Sequence, residues 1–552
     1  MRLEAEYVAV DQVGYRPEEP KRAFVVGGEA EAFSVQSDGE TVLEGDLSEP
    51  IEDADSGDTV REARFDSLGP GEYVVRAGGV ESHPFTVAPG VFADPLRTVA
   101  RHYNLRRSAT RVEDPVTGLE FGPGHEQDRE AELYFSDPFH DEGDELDVSG
   151  GWYDAGDYGK YVPPAAITVG QLLLTAERFP ETSALELRRP VEGPEAPSDL
   201  LSEARFELEW LARMQRPDGA CYHKVAGEEW PAIDTAPGED TMERYVFGLS
   251  TYGTAMVAAV GAQAARLYEG AFAERMLTMA EDAFDYLEAN PDPEFRFDEG
   301  QAGGSGPYRK EEDREERFWA AAELLKTTGE ERYKEYLHGE HKVEFAAEPV
   351  AVEWSNALAL GQWAYYTADA GEEGRKETLA EGFLTYAESL AEHVQGDGYR
   401  CALASEEYLW SSTKLALAKG NVCSLAAAIA EGESEREDAA AARYREIARD
   451  QLHYALGRTP TGYSYVTGVG EEYPERPHDR LSEGTGTLVP GLLVGGANRY
   501  GQDEVMEAYI ERESPPPAKC YLDRLEAYSV NEYAIDYVAP LVHALAEAEA
   551  GY

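Results

Sequence analysis

The sequence predicts a mainly α protein: a large domain of helices in a closed double layer, preceded by a small all-β sandwich. Three observations predict it. Residues 5–90 hold short strand-like runs at close intervals, residues after Pro95 hold long runs of helical period, and no self-similarity at a fixed period suggests a solenoid instead. The chain has 552 residues, 42% of them apolar, which is enough for a large packed core and for more than one domain.

The strand-like runs are YVAV, RAFVV, AFSVQ, TVLEG, EYVVRA and HPFTV, separated by Gly, Pro, Asp and Ser. Such spacing belongs to a sandwich. VAPGVFADP, with two prolines, breaks the pattern and sets one domain over 1–90 and the other over 95–552. Beyond it, AAITVGQLLLTAERF, DLLSEARFELEWLARMQ, ERMLTMAEDAFDYLEA and FWAAAELLKTTG carry apolar residues at i, i+3, i+4 and i+7. Ser198 and Asp199 are placed to cap the second of these. About a dozen such segments are counted by the periodicity rule, with few strand patterns between them. Insertions at 111–162, 216–250, 290–312, 458–483 and 512–534 are where function is expected, because long ordered loops in a compact domain are usually functional.

The charge balance is extreme: 108 acidic residues against 49 basic ones, a formal net charge of -59. A duplex nucleic-acid partner is excluded by the lack of clustered cations. The acidic residues are dispersed and Lys is scarce, which suits a halophilic protein whose self-repulsion is screened in molar salt. The four cysteines, Cys221, Cys401, Cys423 and Cys520, form no C-x-x-C pair and read as buried hydrophobes. The start, MRLEAEYVAV, lacks the features of a signal peptide, and no apolar stretch is long enough to span a membrane. As written, the chain reads as cytoplasmic and monomeric without a membrane partner; a leader removed upstream would make it secreted.

Three loops carry candidate chemistry. In DVSGGWYDAGDYGKYV, Asp154 and Asp157 stand three apart in a glycine-rich loop, with Trp152, Tyr153, Tyr158 and Tyr161 offering flat faces and hydroxyls to a sugar. Two close carboxylates can hold and deprotonate a water, although a D-x-x-D loop alone also reads as a turn or a calcium ligand pair. In YLDRLEAYSVNEYAIDYVAPLV, Glu532 precedes an apolar helix, with Asp523 and Tyr528 nearby. An acid there also reads as a helix N-terminal charge. In GYSYVTGVGEEYPERPHDRLS, His478 and Arg480 sit on a proline-bounded loop suited to hydrogen-bonding hydroxyls, or to packing as a plain surface loop.

Taken together, these loops resemble the family 9 glycoside hydrolases, in the branch with an N-terminal immunoglobulin-like module. DQVGYRPEEPKRAFVV resembles the opening of that module, and GGWYDAGDYGKY, YSYVTGVG…PHDR and the array of Asp523, Tyr528, Glu532 and Ala534 resemble the family's signatures in order. The resemblance implies an (α/α)6 barrel after the sandwich and an inverting cellulase of endoglucanase type. It makes Asp157 the general base, Asp154 a holder of the attacking water and Glu532 the general acid. It sets His478, Arg480 and Tyr528 in the cleft and Asp523 in support of the acid or a subsite.

Trp410 is expected to stack on sugar, with Trp152 and Tyr153 also on the substrate side. Trp210, Trp319 and Trp354 are expected in the core, and His223 is expected to be structural. The substrate would be a β-glucan or a cello-oligosaccharide. The alternatives are exo action on the same scaffold (a cellobiohydrolase or exo-glucosaminidase) and a non-catalytic carbohydrate-binding protein.

The resemblance also implies metal expectations. Some relatives hold structural zinc at positions that here carry Arg107, Gly124, His125 and Tyr153, so zinc is expected to be absent. Calcium is held open near Ser305, Glu315 and Glu316, and no cofactor is required. The sequence also departs from the family pattern where Val538 stands for a usual Asn and Glu472 for a usual Asn or basic residue.

Overall fold

The computed structural model describes residues 6–297, 306–431 and 435–551, with the backbone alone at 435–437. The chain divides into two compact units: one comprises residues 1–100, 386–478 and 488–552, the other 101–385 and 479–487.

The first unit opens with the sandwich. One sheet runs in the order Tyr7–Ala9, Arg22–Val26, Thr59–Arg64, Ile51–Glu52. The other runs Gly14–Tyr15, Phe85–Val87, Gly71–Ala77, Ala32–Ser37, Glu40–Asp46, with Val80–Glu81 paired to Gly71–Ala77. All six strand-like runs form strands. Val8, Val25, Phe33, Val35, Val75, Phe85 and Val87 fill the space between the sheets. Tyr7, Ala9, Phe24 and Val26 point the other way and pack with Tyr399. Burial on both faces explains why YVAV and RAFVV are continuously apolar rather than alternating. The strand Thr59–Arg64 gave no such signal, because only Val60 and Ala63 of TVREAR are buried.

The motif after the first strand docks on the loop that leads to His478. Asp11 accepts the backbone N–H groups of Val13 and Gly14 through Oδ1 and meets His453 Nδ1 at 2.7 Å through Oδ2. The Gln12 amide donates to Gly462 O at 2.8 Å and accepts from the N–H groups of Glu471 and Glu472 at 2.8 and 2.7 Å. A Cβ at Gly470, where φ is 90°, would lie 2.9 Å from that amide oxygen, so the loop is shaped around the side chain. Helices Ser412–Ala430, Glu435–Ala455 and Ile535–Ala550 belong to the same unit, the first packing on both others. Lys414 and Asp536 form a buried ion pair at 2.6 Å between Ser412–Ala430 and Ile535–Ala550.

In the second unit the helices Val162–Arg178, Gly270–Ala289 and Arg314–Thr328 surround Thr251–Leu267, whose small, apolar sequence is buried for nearly its whole length. A Cβ at Gly261 would lie 2.8 Å from Met276 O, so a glycine is needed where these helices meet. Asp199–Arg213 starts where expected, with Ser198 Oγ accepting from Leu201 N. The insertions are not bare loops. They pair into a sheet in the order Glu145–Leu146, Ala131–Leu133, Tyr245–Ser250, Tyr222–Ala226, Lys160–Tyr161, with Phe295–Arg296 paired to Tyr245–Ser250. Strands of two to six residues joined across long sequence separations leave no period to read.

Candidate active site

The carboxylates Asp154 and Asp157 belong to the second unit, on the loop that runs from Val148 into Lys160–Tyr161. Beneath it lies a buried ionic frame. Asp128 accepts from Arg244 Nε and pairs with Lys160 Nζ, both at 2.8 Å, and these two cations hold its carboxyl well below its ordinary value against the opposing effect of burial. Lys160 also donates to Val148 O at 3.0 Å and Gly150 O at 2.6 Å, and Arg244 donates to Tyr158 O at 2.9 Å. The Trp152 N–H donates to Glu207 Oε2 at 2.7 Å. Gly150 and Gly151 have φ of 90° and 77°, and a Cβ on Gly151 would strike the Trp210 ring at 2.7 Å. The loop backbone is thus fixed by charge-assisted bonds to its carbonyls, and the small residues are required for its path.

On this frame, Asp154 Oδ2 accepts from the Tyr308 hydroxyl at 2.7 Å. Asp157 Oδ2 accepts from the indole N–H of Trp230 at 3.2 Å. Gly156, between them, is held through its carbonyl by Arg480, from the backbone N–H at 3.1 Å and from Nη1 at 2.9 Å, while Arg480 Nε donates to Pro231 O at 3.0 Å. Arg480, read from sequence as a substrate contact, therefore braces the Asp154–Asp157 loop against the Trp230 loop. Its neighbour Asp479 caps the helix Arg480–Thr485 and pairs with Arg106 at 2.7 Å. Lys224 lies buried among the rings of Tyr161, Phe247 and Phe297. Burial brings its ammonium down to about 8, and the charge of Asp157 opposes that shift.

Glu532 belongs to the first unit, just past the helix Tyr528–Asn531, and is partly exposed. His478 N donates to Asn531 O at 2.9 Å, bridging the His478 segment to that of Glu532, and Gly495 N donates to Glu532 O at 2.9 Å. The His478 Nδ1–H donates to Leu525 O at 2.7 Å, which fixes the tautomer. The Tyr528 ring lies 5.6 Å from His478 and 5.8 Å from Trp410, so the three expected substrate contacts form one half-exposed aromatic group. Asp523 receives the N–H groups of Glu475 and Arg476 at 2.8 and 3.0 Å and the Asn531 amide at 3.0 Å. It ties the His478 loop to the residue before Glu532.

Three expectations are corrected. Trp152 and Tyr153 are buried rather than cleft-facing: Trp152 packs on Tyr103 at 4.7 Å, and the Tyr153 hydroxyl bonds His125 at 2.8 Å. The left-handed turn at Gly150 and Gly151 and the bond from the Trp152 N–H to buried Glu207 hold this stretch against the core. Trp354, expected in the core, is partly exposed and lies edge-on to Tyr308 at 5.0 Å. Trp210 and Trp319 are core, and His223 is structural, bonded to Ser250 Oγ and Pro307 O, with burial pushing its ring down to about 3. Tyr308, Trp230 and Lys224 were missed by sequence reasoning. Their only signal was membership of long insertions.

The zinc positions do not fit a metal. The Arg107 guanidinium spans both oxygens of Glu203 at 3.0 and 2.7 Å, and the two ring nitrogens of His125 meet Tyr153 and Asp240 at 2.8 and 3.0 Å. Among the described residues no group of three His, Cys, Asp or Glu is set to hold a metal ion. Of the calcium candidates, Ser305 lies outside the described residues, while Glu315 and Glu316 each bond Lys310 Nζ at 2.6 Å. No helix among the described residues is long and apolar enough to cross a membrane.

Residues 92–545 match the model of glycosyl hydrolase family 9, and residues 4–82 match the cellulase N-terminal ig-like domain. The chain is 30% identical to endoglucanase D of Acetivibrio thermocellus over 98% of this chain and 83% of that one. It is also 30% identical to a cellulose 1,4-beta-cellobiosidase of the same organism, over 97% of this chain and 66% of that one. The crystal structure of the family 9 endoglucanase J30 superposes with a TM-score of 0.93 at 46% identity, covering 97% of this chain and 99% of that one. A form of that enzyme described as a zinc-binding triple mutant matches equally. The fold class is accordingly a helix-rich (α/α)6 catalytic domain after a β-sandwich. The chain belongs to glycosyl hydrolase family 9, with the immunoglobulin-like module of the cellulases at its N-terminus.

Proposed function

We propose that the protein hydrolyses β-1,4-glucosidic bonds of cellulose or a related β-glucan with inversion, cutting within the chain. The observation that carries the reading is the pair Asp154 and Asp157, each with a carboxylate oxygen held by its own donor, Tyr308 and Trp230, on a braced loop of a family 9 domain.

In this reading Asp157 takes a proton from the attacking water as that water bonds to the anomeric carbon. Asp154, oriented by Tyr308, accepts the water's second hydrogen bond. Glu532 gives its proton to the glycosidic oxygen as the C–O bond breaks, so a new reducing end and a free hydroxyl leave together. Trp410, Tyr528 and Trp230 supply faces for pyranose rings. The protein works as a monomer in high salt, without nucleic acid or a membrane.

The test is release of reducing ends from a soluble substituted cellulose in molar salt, with viscosity followed in parallel. Viscosity should fall much faster than reducing ends accumulate. A fall only in step with disaccharide release would give exo action, and no release at all would make the chain a binding protein.

A further inference from the structure

The stretch from Pro307 to Glu316 forms a strap in the second unit. Pro307 O is met by His223 Nε2 at 2.6 Å, and Tyr308 O accepts from the Tyr252 hydroxyl. Tyr308 adopts a φ of 45°, unusual for a bulky residue, with its ring edge-on to Tyr161 and Trp354 and its hydroxyl on Asp154. Two residues on, Lys310 Nζ lies 2.6 Å from Glu315 Oε2 and 2.6 Å from Glu316 Oε1, in the first turn of Arg314–Thr328. Glu316 is fully buried, and its Oε2 has no hydrogen-bond partner among the described residues.

Two adjacent carboxylates in one partly buried turn repel each other and need a cation. The turn has one from its own chain. Burial drives the Glu316 carboxyl up while Lys310 opposes it, and the two carboxylates together hold the Lys310 ammonium above its ordinary value against burial. A calcium ion takes its oxygens at about 2.3–2.6 Å. An ammonium already at hydrogen-bond distance from both carboxylates fills that space, so the donor set does not fit calcium while Lys310 is there.

We propose that Lys310 is a built-in cation that replaces a divalent ion at this turn, anchoring the strap so that the Tyr308 hydroxyl stays on Asp154. It is a positioning residue: it reaches the reacting groups only through Tyr308. The effect on turnover rests on the role proposed for Asp154; the thermal effect does not.

The experiment uses the full chain in molar KCl, which holds ionic strength constant. Wild type, Lys310→Arg and Lys310→Met are melted in EGTA and in about 5 mM Ca2+, above the ~10⁻⁴–10⁻³ M dissociation constants of weak calcium sites. Wild type and Lys310→Arg should melt alike in both. Lys310→Met should melt roughly 2–4 °C lower in EGTA and recover in calcium, because the freed carboxylate pair then binds the ion. Its kcat should fall and recover in parallel, with KM little changed. A wild type destabilised by EGTA overturns the proposal, as does a Lys310→Met chain that calcium fails to restore, folded or not. Thermal recovery without recovery of kcat would leave Lys310 as the cation and overturn its positioning of Tyr308 on Asp154.

Discussion

The indole N–H of Trp230 donates to Oδ2 of Asp157 at 3.2 Å, and Trp230 is 58% exposed. A largely exposed tryptophan is unusual on a protein surface, and this one has its polar edge on a carboxylate. The contact couples two tasks, since the residue that orients the proposed base also offers a stacking surface.

The tasks separate by substitution. Trp230→Phe keeps a flat ring and deletes the donor. It should lower kcat about tenfold, the low end expected for a partly exposed bond to a charged group, with KM little changed. Trp230→Ala should add a rise in KM on long oligosaccharides. If Phe and Ala variants lose activity through KM alone, the indole only stacks and does not orient Asp157.

A second prediction concerns pH. Glu207 is buried, and burial pushes its carboxyl up to about 8, opposed by the Trp152 N–H and by Lys160. The folded state therefore keeps a proton that the unfolded state releases near 4.5. Stability from this group is full below about pH 4.5 and is lost as pH rises through about 8. Glu207→Gln retains the acceptor for Trp152 without the titration. Its melting temperature should match wild type near pH 4 and exceed it near pH 8. Parallel curves over that range would show that Glu207 is charged in the fold.

How much of this was legible can be judged residue by residue. Phe33 and Val35 alternate with polar neighbours, and the buried strands at Tyr7 and Arg22 are continuous apolar runs, so the sandwich could be read locally. Asp154 and Asp157 were legible because a tight glycine loop constrains nearby sequence. Tyr308 stands 154 residues from Asp154, and Trp230 73 from Asp157, so their pairing has no local trace. Trp152 was misread for a related reason. Its neighbours Gly150 and Gly151 suggest an open loop, but the buried partner Glu207, 55 residues away, draws the backbone inward.

A third prediction concerns salt. The net charge of -59 comes from acidic residues dispersed along the chain, and at about 0.01 M salt the Debye length of roughly 30 Å lets these charges repel across the molecule. At about 1 M it falls to roughly 3 Å. Melting temperature and activity should both rise toward molar KCl or NaCl. Equal values at low and molar salt would sink the halophilic reading.

The last prediction tests the mechanism itself. If Glu532 protonates the leaving oxygen, Glu532→Gln should lose most activity on β-glucan, where the leaving group is poor, and keep more on activated aryl glycosides, which leave without acid help. Asp157→Asn should lose both, because the water needs its base whatever departs. Asp154→Asn should resemble Asp157→Asn, since Tyr308 would then orient a group that attracts the water less strongly. In an inverting enzyme the acid and base lie about 6.5–9.5 Å apart, leaving room for a water, against about 5–5.5 Å in a retaining one. With that water attacking the face opposite the leaving group, the β-linkage must give an α product. Proton NMR of a β-linked oligosaccharide during hydrolysis should therefore show the α anomer of the new reducing end first, with the β anomer growing in by mutarotation. A β anomer appearing first would mean that a carboxylate, not water, attacks the carbon, and would reverse the roles proposed for Asp154, Asp157 and Glu532.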